Sequence, residues 1–120
     1  MPLTLGKGTR VAVTFVIRFN VVPAERERFL ALLEGVLDAM RDEPMFHEAV
    51  LHADPDNEHR FMLYETWEDL DDVVAVQLQR PYRAAWHAAL PEILTEERDV
   101  LVWRPLRADR RTEGSRVGSG

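Results

Sequence analysis

An α+β fold with the element order β-α-β-β-α-β follows from three features of this 120-residue chain. Apolar residues alternate strictly from Val11 to Val21, they recur at helical spacing over residues 24–41, and they alternate again from Phe61 into a run of helix signals. A two-residue period marks strands half buried on a core, and a three- to four-residue period marks a helix lying on them.

Val11, Val13, Phe15, Ile17, Phe19 and Val21, all β-branched or aromatic, predict the first strand. Pro23 fits a helix start, where its missing N–H costs nothing, and Phe29, Leu30, Leu33, Val36, Leu37 and Met40 give the following helix one apolar side. Gly35 inside that helix weakens it by about 1 kcal/mol relative to alanine, which predicts a close approach to the sheet that needs a bare backbone. Glu43 and Pro44 end the helix. Phe46 to Ala53 alternates as a strand, Asp54, Pro55, Asp56 and Asn57 form a turn, and Arg60 to Glu68 returns as the partner strand. Asp69 or Asp71 is placed to cap a second helix reaching about Gln79. Pro81 opens a further helical piece with Tyr82, Trp86 and Leu90, and Pro91 is expected to interrupt it. Asp99 to Arg104 makes the last strand, with Val100 and Val102 on one face and Leu101 and Trp103 on the other.

This order is the ferredoxin-like arrangement, two helices over one face of a four-stranded antiparallel sheet whose other face has no cover. Val16, Val22, Leu101 and Trp103 make that second face apolar too, so a second copy of the chain is expected to cover it as a symmetric homodimer. The organisation read from the sequence is a lead-in over 1–10, one domain over 11–106 and a flexible tail over 107–120, rich in Arg, Gly, Ser and Thr.

Composition narrows the function classes. The net charge of -6 and isoelectric point near 5.2 oppose a nucleic-acid backbone. Without cysteine there is no disulfide, thiolate metal site or cysteine nucleophile, which suits a reducing cytoplasm. No apolar run reaches membrane-spanning length, and the first ten residues hold too short an apolar stretch for an export signal. No Gly-rich phosphate loop, dinucleotide fingerprint or GxSxG is present. His47 and His52 stand five apart along a strand and point to opposite faces, while His59 reads as part of a solvated acidic turn, so no metal is predicted.

Strand one ending in VVPAERERFLALL, and the stretch MRDEPMFHEAVLHADPDNEHRFMLYETWEDLDDVVAVQLQRPYRAAWHAALPEIL, resemble the antibiotic biosynthesis monooxygenase domain, a dimeric α+β barrel family, over about residues 11–105. Its marks are the EP before the second strand, the DP turn, the YETWED ending the third strand, and Pro81 followed by Tyr82. The resemblance implies a small enzyme without metal or flavin that oxygenates an electron-rich aromatic, a quinol or polyketide-type substrate, with molecular oxygen. Such a substrate supplies the electrons, so the protein need only bind the ring, remove a proton and exclude water. Several polar positions of the family are apolar or changed here: Gln77 and Tyr82 stand where many members have histidine, and Leu63 and Val73 where polyketide-oxidising members have asparagine and tyrosine. Haem-degrading relatives need an asparagine at Ile17 and an axial histidine at Trp86, and His87 lies about 100° round the helix from that position.

The candidate catalytic residues are His87 and Glu65, and the candidate substrate-binding residues are Trp67, Tyr82, Trp86, Ile17 and Leu63. Alternation puts Phe61, Leu63, Glu65 and Trp67 on one face, which the resemblance directs toward the pocket. Trp67 serves either as core filling or as a surface for ring stacking. Glu65 must reach solvent, pair with a cation such as Arg18 or Arg83, or carry a raised pKa suited to a general base. Tyr82 and His87 point roughly 140° apart, so one of them is structural, and His87 is the chosen proton acceptor. Two readings of different class remain: a cofactor-independent monooxygenase, and a catalytically silent dimer that binds a small ligand.

Overall fold

The computed structural model describes residues 10–112. Most of the predicted lead-in (1–9) and the end of the predicted tail (113–120) lie outside the described residues. Within them, β1 (Val13–Asn20) runs through a short 3-10 turn at Pro23–Glu25 into α1 (Arg26–Met40). A hairpin of β2 (Phe46–Asp54) and β3 (Asn57–Trp67) follows, and then α2 (Leu70–Ala75). Two 3-10 turns, Gln77–Gln79 and Pro81–Arg83, lead to α3 (Ala84–Ile93), and β4 (Asp99–Trp103) closes the fold. The four strands form one antiparallel sheet in the order β2-β3-β1-β4, which is the ferredoxin-like arrangement.

Register decides which side chains meet the helices. Phe15 lies opposite Glu65 and Val102, Ile17 opposite Leu63 and Val100, and Phe19 opposite Phe61. These residues share the helical face because side chains alternate along a strand and register partners lie on the same side. Phe19, Phe29, Phe61 and Trp86 form the centre of the core, with ring centroids 4.9–5.7 Å apart in edge or tilted contacts. Val16, Met62, Tyr64, Val50, Leu101 and Trp103 occupy the other face; no helix among the described residues covers it, and Trp103 is 58% exposed.

Four local expectations are corrected. Gly35 is exposed, and a Cβ built there meets nothing within 4 Å, so no close packing requires it. Asp69 sits at the α2 N-cap position but its side chain makes no capping hydrogen bond. Pro91 does not interrupt α3, which continues to Ile93. Burial of Trp86, Ala89, Leu90 and Ile93 along one side outweighs the single lost amide, while Pro91 itself points outward. Arg18 pairs with Asp99 on the uncovered face and does not meet Glu65.

Candidate functional site

Between the sheet and the helices lies a cavity of about 180 Å³. The sheet contributes Phe15, Ile17, Phe19, Leu63, Glu65 and Val100; α1 contributes Leu33, Val36 and Met40; the segment after β3 contributes Val73, Val74 and Leu78. Arg83, Trp86 and His87, at the start of α3, and Arg98, just before β4, complete the wall. Val74, Leu78 and Val100 are each more than 40% exposed, so the mouth lies between α2 and the edge strand β4.

Of the residues singled out from the sequence, Ile17, Leu63, Glu65, Trp86 and His87 line this cavity and Trp67 and Tyr82 do not. Trp67 is wholly buried against Phe46, with ring centroids 5.2 Å apart. Its indole N–H donates to Glu65 Oε1 at 2.7 Å, so it holds the carboxyl in place from behind. Tyr82 turns away and donates its hydroxyl to Glu43 Oε2 at 3.0 Å. His87 lines the cavity and Tyr82 does not.

The charged groups of the wall modify one another. Burial pushes the Glu65 carboxyl above its ordinary value, against the opposing effects of the Trp67 hydrogen bond and the charges of Arg83 and Arg98. Burial, then the charges of Arg98 and Arg83, hold the His87 imidazole below its ordinary 6.5, so it is neutral near pH 7 and able to accept a proton. Arg83 is 7% exposed and stacks its guanidinium over Trp67 and Tyr82, 5.9 and 5.6 Å from the ring centres.

A polar cluster fastens the segment that roofs the cavity. Glu43, just past α1, accepts hydrogen bonds from Tyr82 and from Arg80 Nη2 at 3.1 Å. Burial alone would raise its pKa, but the hydrogen bonds of Tyr82, Arg80 and Gln77 and the charge of Arg80 hold it below the ordinary range. Gln77, 1% exposed, donates to Asp72 Oδ2 at 3.0 Å.

Larger depressions elsewhere are more open. A groove of about 540 Å³ shares His87 and Arg98 with the cavity and runs along Pro91, Glu96 and Glu97. A cleft of about 530 Å³ on the uncovered side holds Arg18, Asp99, Arg60 and Asp54, which are paired with one another. Sequence reasoning missed Arg98 and gave Arg83 only as a partner for Glu65. Arg98 stands in the run Glu96-Glu97-Arg98-Asp99, which reads as a solvated charge cluster, and no spacing in it signals an inward side chain.

Among the described residues, no group of three or more His, Asp or Glu side chains is placed to hold a metal ion, and no helix is long and apolar enough to cross a membrane. The position required for an axial haem ligand holds Trp86, packed on Phe19 and Phe29.

Comparison with known proteins agrees with this architecture. The sequence model described as antibiotic biosynthesis monooxygenase matches residues 12–91. A protein of Pestalotiopsis microspora, described as "Putative monooxygenase GME11364", is 31% identical over 93 residues, 77% of this chain and 78% of that protein. Among solved structures, Rv0793 from Mycobacterium tuberculosis superposes with a TM-score of 0.74 at 23% identity, over 82% of this chain and 99% of that one. A Nitrosomonas europaea protein titled "Putative antibiotic biosynthesis monooxygenase" gives 0.74 at 17% identity, over 82% and 93%. The share of the chain matched by the family pattern, with a relative alike along most of its length, establishes that this chain belongs to the antibiotic biosynthesis monooxygenase family.

Proposed function

We propose that this protein is a monooxygenase that oxidises a small electron-rich aromatic with molecular oxygen inside the cavity at Glu65 and His87. The observation that carries the reading is a largely apolar cavity of about 180 Å³ beneath the helices with a neutral imidazole on its wall. A phenol bound there loses its hydroxyl proton to His87. The phenolate passes one electron to oxygen, the ring radical and superoxide join as a ring hydroperoxide, and loss of water leaves a quinone. One oxygen atom ends in the ring, the other in water with the two hydrogens lost from the phenol. Ile17, Leu63 and Trp86 hold the ring and keep bulk water out. Trp67 is a positioning residue acting through Glu65, and Tyr82 acts only through Glu43.

The protein works as a homodimer in this proposal. The support is the uncovered sheet face, where Val50, Leu101 and Trp103 are 40–58% exposed beside half-buried Val16, Met62 and Tyr64. Contiguous apolar surface of this kind marks an interface.

The second reading, a silent ligand-binding dimer, draws on Leu63, Val73 and Gln77. Leu63 and Val73 add only apolar wall, and Gln77 is tied to Asp72, so none supplies a polar group to the cavity. Oxygen consumption separates the two. Single-ring hydroquinones and phenols with a free para position are expected to give uptake that His87→Ala lowers about 100-fold. Lack of uptake with every substrate would leave binding as the function.

A further inference from the structure

The cavity's charges fit poorly with a purely neutral guest. Arg83 faces the cavity at 7% exposure, its Nε–H has no acceptor, and among the described residues no carboxylate comes within 4.0 Å of its guanidinium. A guanidinium keeps its charge at every pH the protein meets, and burying it uncompensated is costly. The faces of Trp67 and Tyr82 offset part of that cost. Half-buried Arg98 brings a second guanidinium to the same wall, also without an ion-pair partner within 4.0 Å among the described residues. Glu65 is the one carboxylate on the wall; an oxygen of it is occupied by Trp67, and burial favours its neutral form. His87 is neutral as well. The remaining wall is apolar, so two guanidiniums face the cavity with no carboxylate at ion-pair distance among the described residues; Glu65 and, for Arg98, Glu97 act on them only from farther off.

We propose that the cavity binds a single-ring aromatic anion, with the ring among Ile17, Leu63 and Trp86 and the charged oxygen on Arg83 and Arg98. This rests on the cavity being the substrate site, and it narrows the substrate class to a one-ring phenolate or aromatic acid. Size supports the ring count, since an apolar cavity of about 150 Å³ takes one benzene molecule and 180 Å³ adds room for a substituent or two. Charge supports the anion, because a guanidinium binds a phenolate or carboxylate oxygen through short, charge-assisted hydrogen bonds.

The probe is 4-nitrophenol, whose anion absorbs in the visible, titrated with the full chain, with nitrobenzene as the neutral competitor of nearly the same shape. The expected result is a lowered apparent pKa of the bound phenol and at least tenfold tighter binding of 4-nitrophenolate than of nitrobenzene. Arg83→Gln is expected to reduce that preference about tenfold, Arg83→Lys to keep part of it, and Arg98→Gln to reduce it a few-fold. A three-ring acid, anthracene-9-carboxylate, is expected not to displace the probe. Equal binding of anion and neutral analogue by the wild type would overturn the proposal even if Arg83→Gln does not fold. So would a folded Arg83→Gln that keeps the full preference, or tight binding of the three-ring acid. Oxygen uptake is read separately: anion binding without uptake removes the oxygenase reading alone, and uptake with no charge preference removes the anion site alone.

Discussion

The two faces of the sheet come from the same four strands, yet one is covered and hollow while the other is bare. On the helical face Trp67, Phe19 and Phe29 are at most 2% exposed, although a ring-sized cavity remains between them and the mouth. On the other face Trp103 is 58% exposed and Leu101 40%. Apolar character alone therefore does not assign a role. A tryptophan at one end of β3 fixes a carboxyl inside the core, and a tryptophan at one end of β4 waits for a surface to lie against.

The largest expected contrast tests that difference directly. Trp67→Ala is expected to cost about 3–5 kcal/mol in urea unfolding, because it opens a void and strips Glu65 of its donor. Trp103→Ala, measured on dilute separated chains, is expected to stay within about 0.5 kcal/mol. Similar losses at both sites would show that the two tryptophans play the same structural part. Leu101→Glu puts charge into the bare face, and light scattering is expected to show the mass falling from two copies to one with the fold intact. A wild type that already has the mass of a single chain would remove the proposed interface.

Glu65→Gln sharpens the picture of the covered face. Burial raises the native pKa of Glu65 above its ordinary 4.5, so the stability its protonated form contributes is fully present below that value and is lost as pH rises through the native pKa. The glutamine variant is therefore expected to match the wild type in acid and to exceed it in thermal stability at neutral pH. A constant difference across pH would mean that position 65 does not titrate as its burial requires. Smallest is Gly35→Ala, expected to stabilise by about 0.5–1 kcal/mol, since the site is helical, exposed and has free space for a methyl group. A loss of stability there would show that α1 contacts something beyond this chain.

Most of the fold was legible because periodicity reports direction. Alternation from Val13 to Phe19 and from Phe61 to Trp67 set the inward residues of β1 and β3, and helical spacing did the same for Phe29, Leu33, Val36 and Met40. Depth was not legible. Trp67 points inward as expected, but Glu65 stands between it and the cavity, a relation that a two-residue period cannot express. Arg83 and Arg98 were hard to place for a related reason, since an arginine in a helical turn or a charged loop normally extends into water. Pro91 and Gly35 misled in opposite senses: packing carried the helix past the first, and no packing reason exists for the second.

The buckle at Glu43 has a consequence for motion. The flap it secures is only a six-residue helix and two single turns, and it joins the rest through few apolar side chains, so it is the section most easily released. Tyr82 and Arg80 grip the ionised carboxylate, whose stabilising contribution is present above its ordinary pKa of 4.5 and fades as acid titrates the native group. Amide exchange over residues 70–83 should then quicken in mild acid before the strands respond, making the traffic of guests a property of one distant clasp.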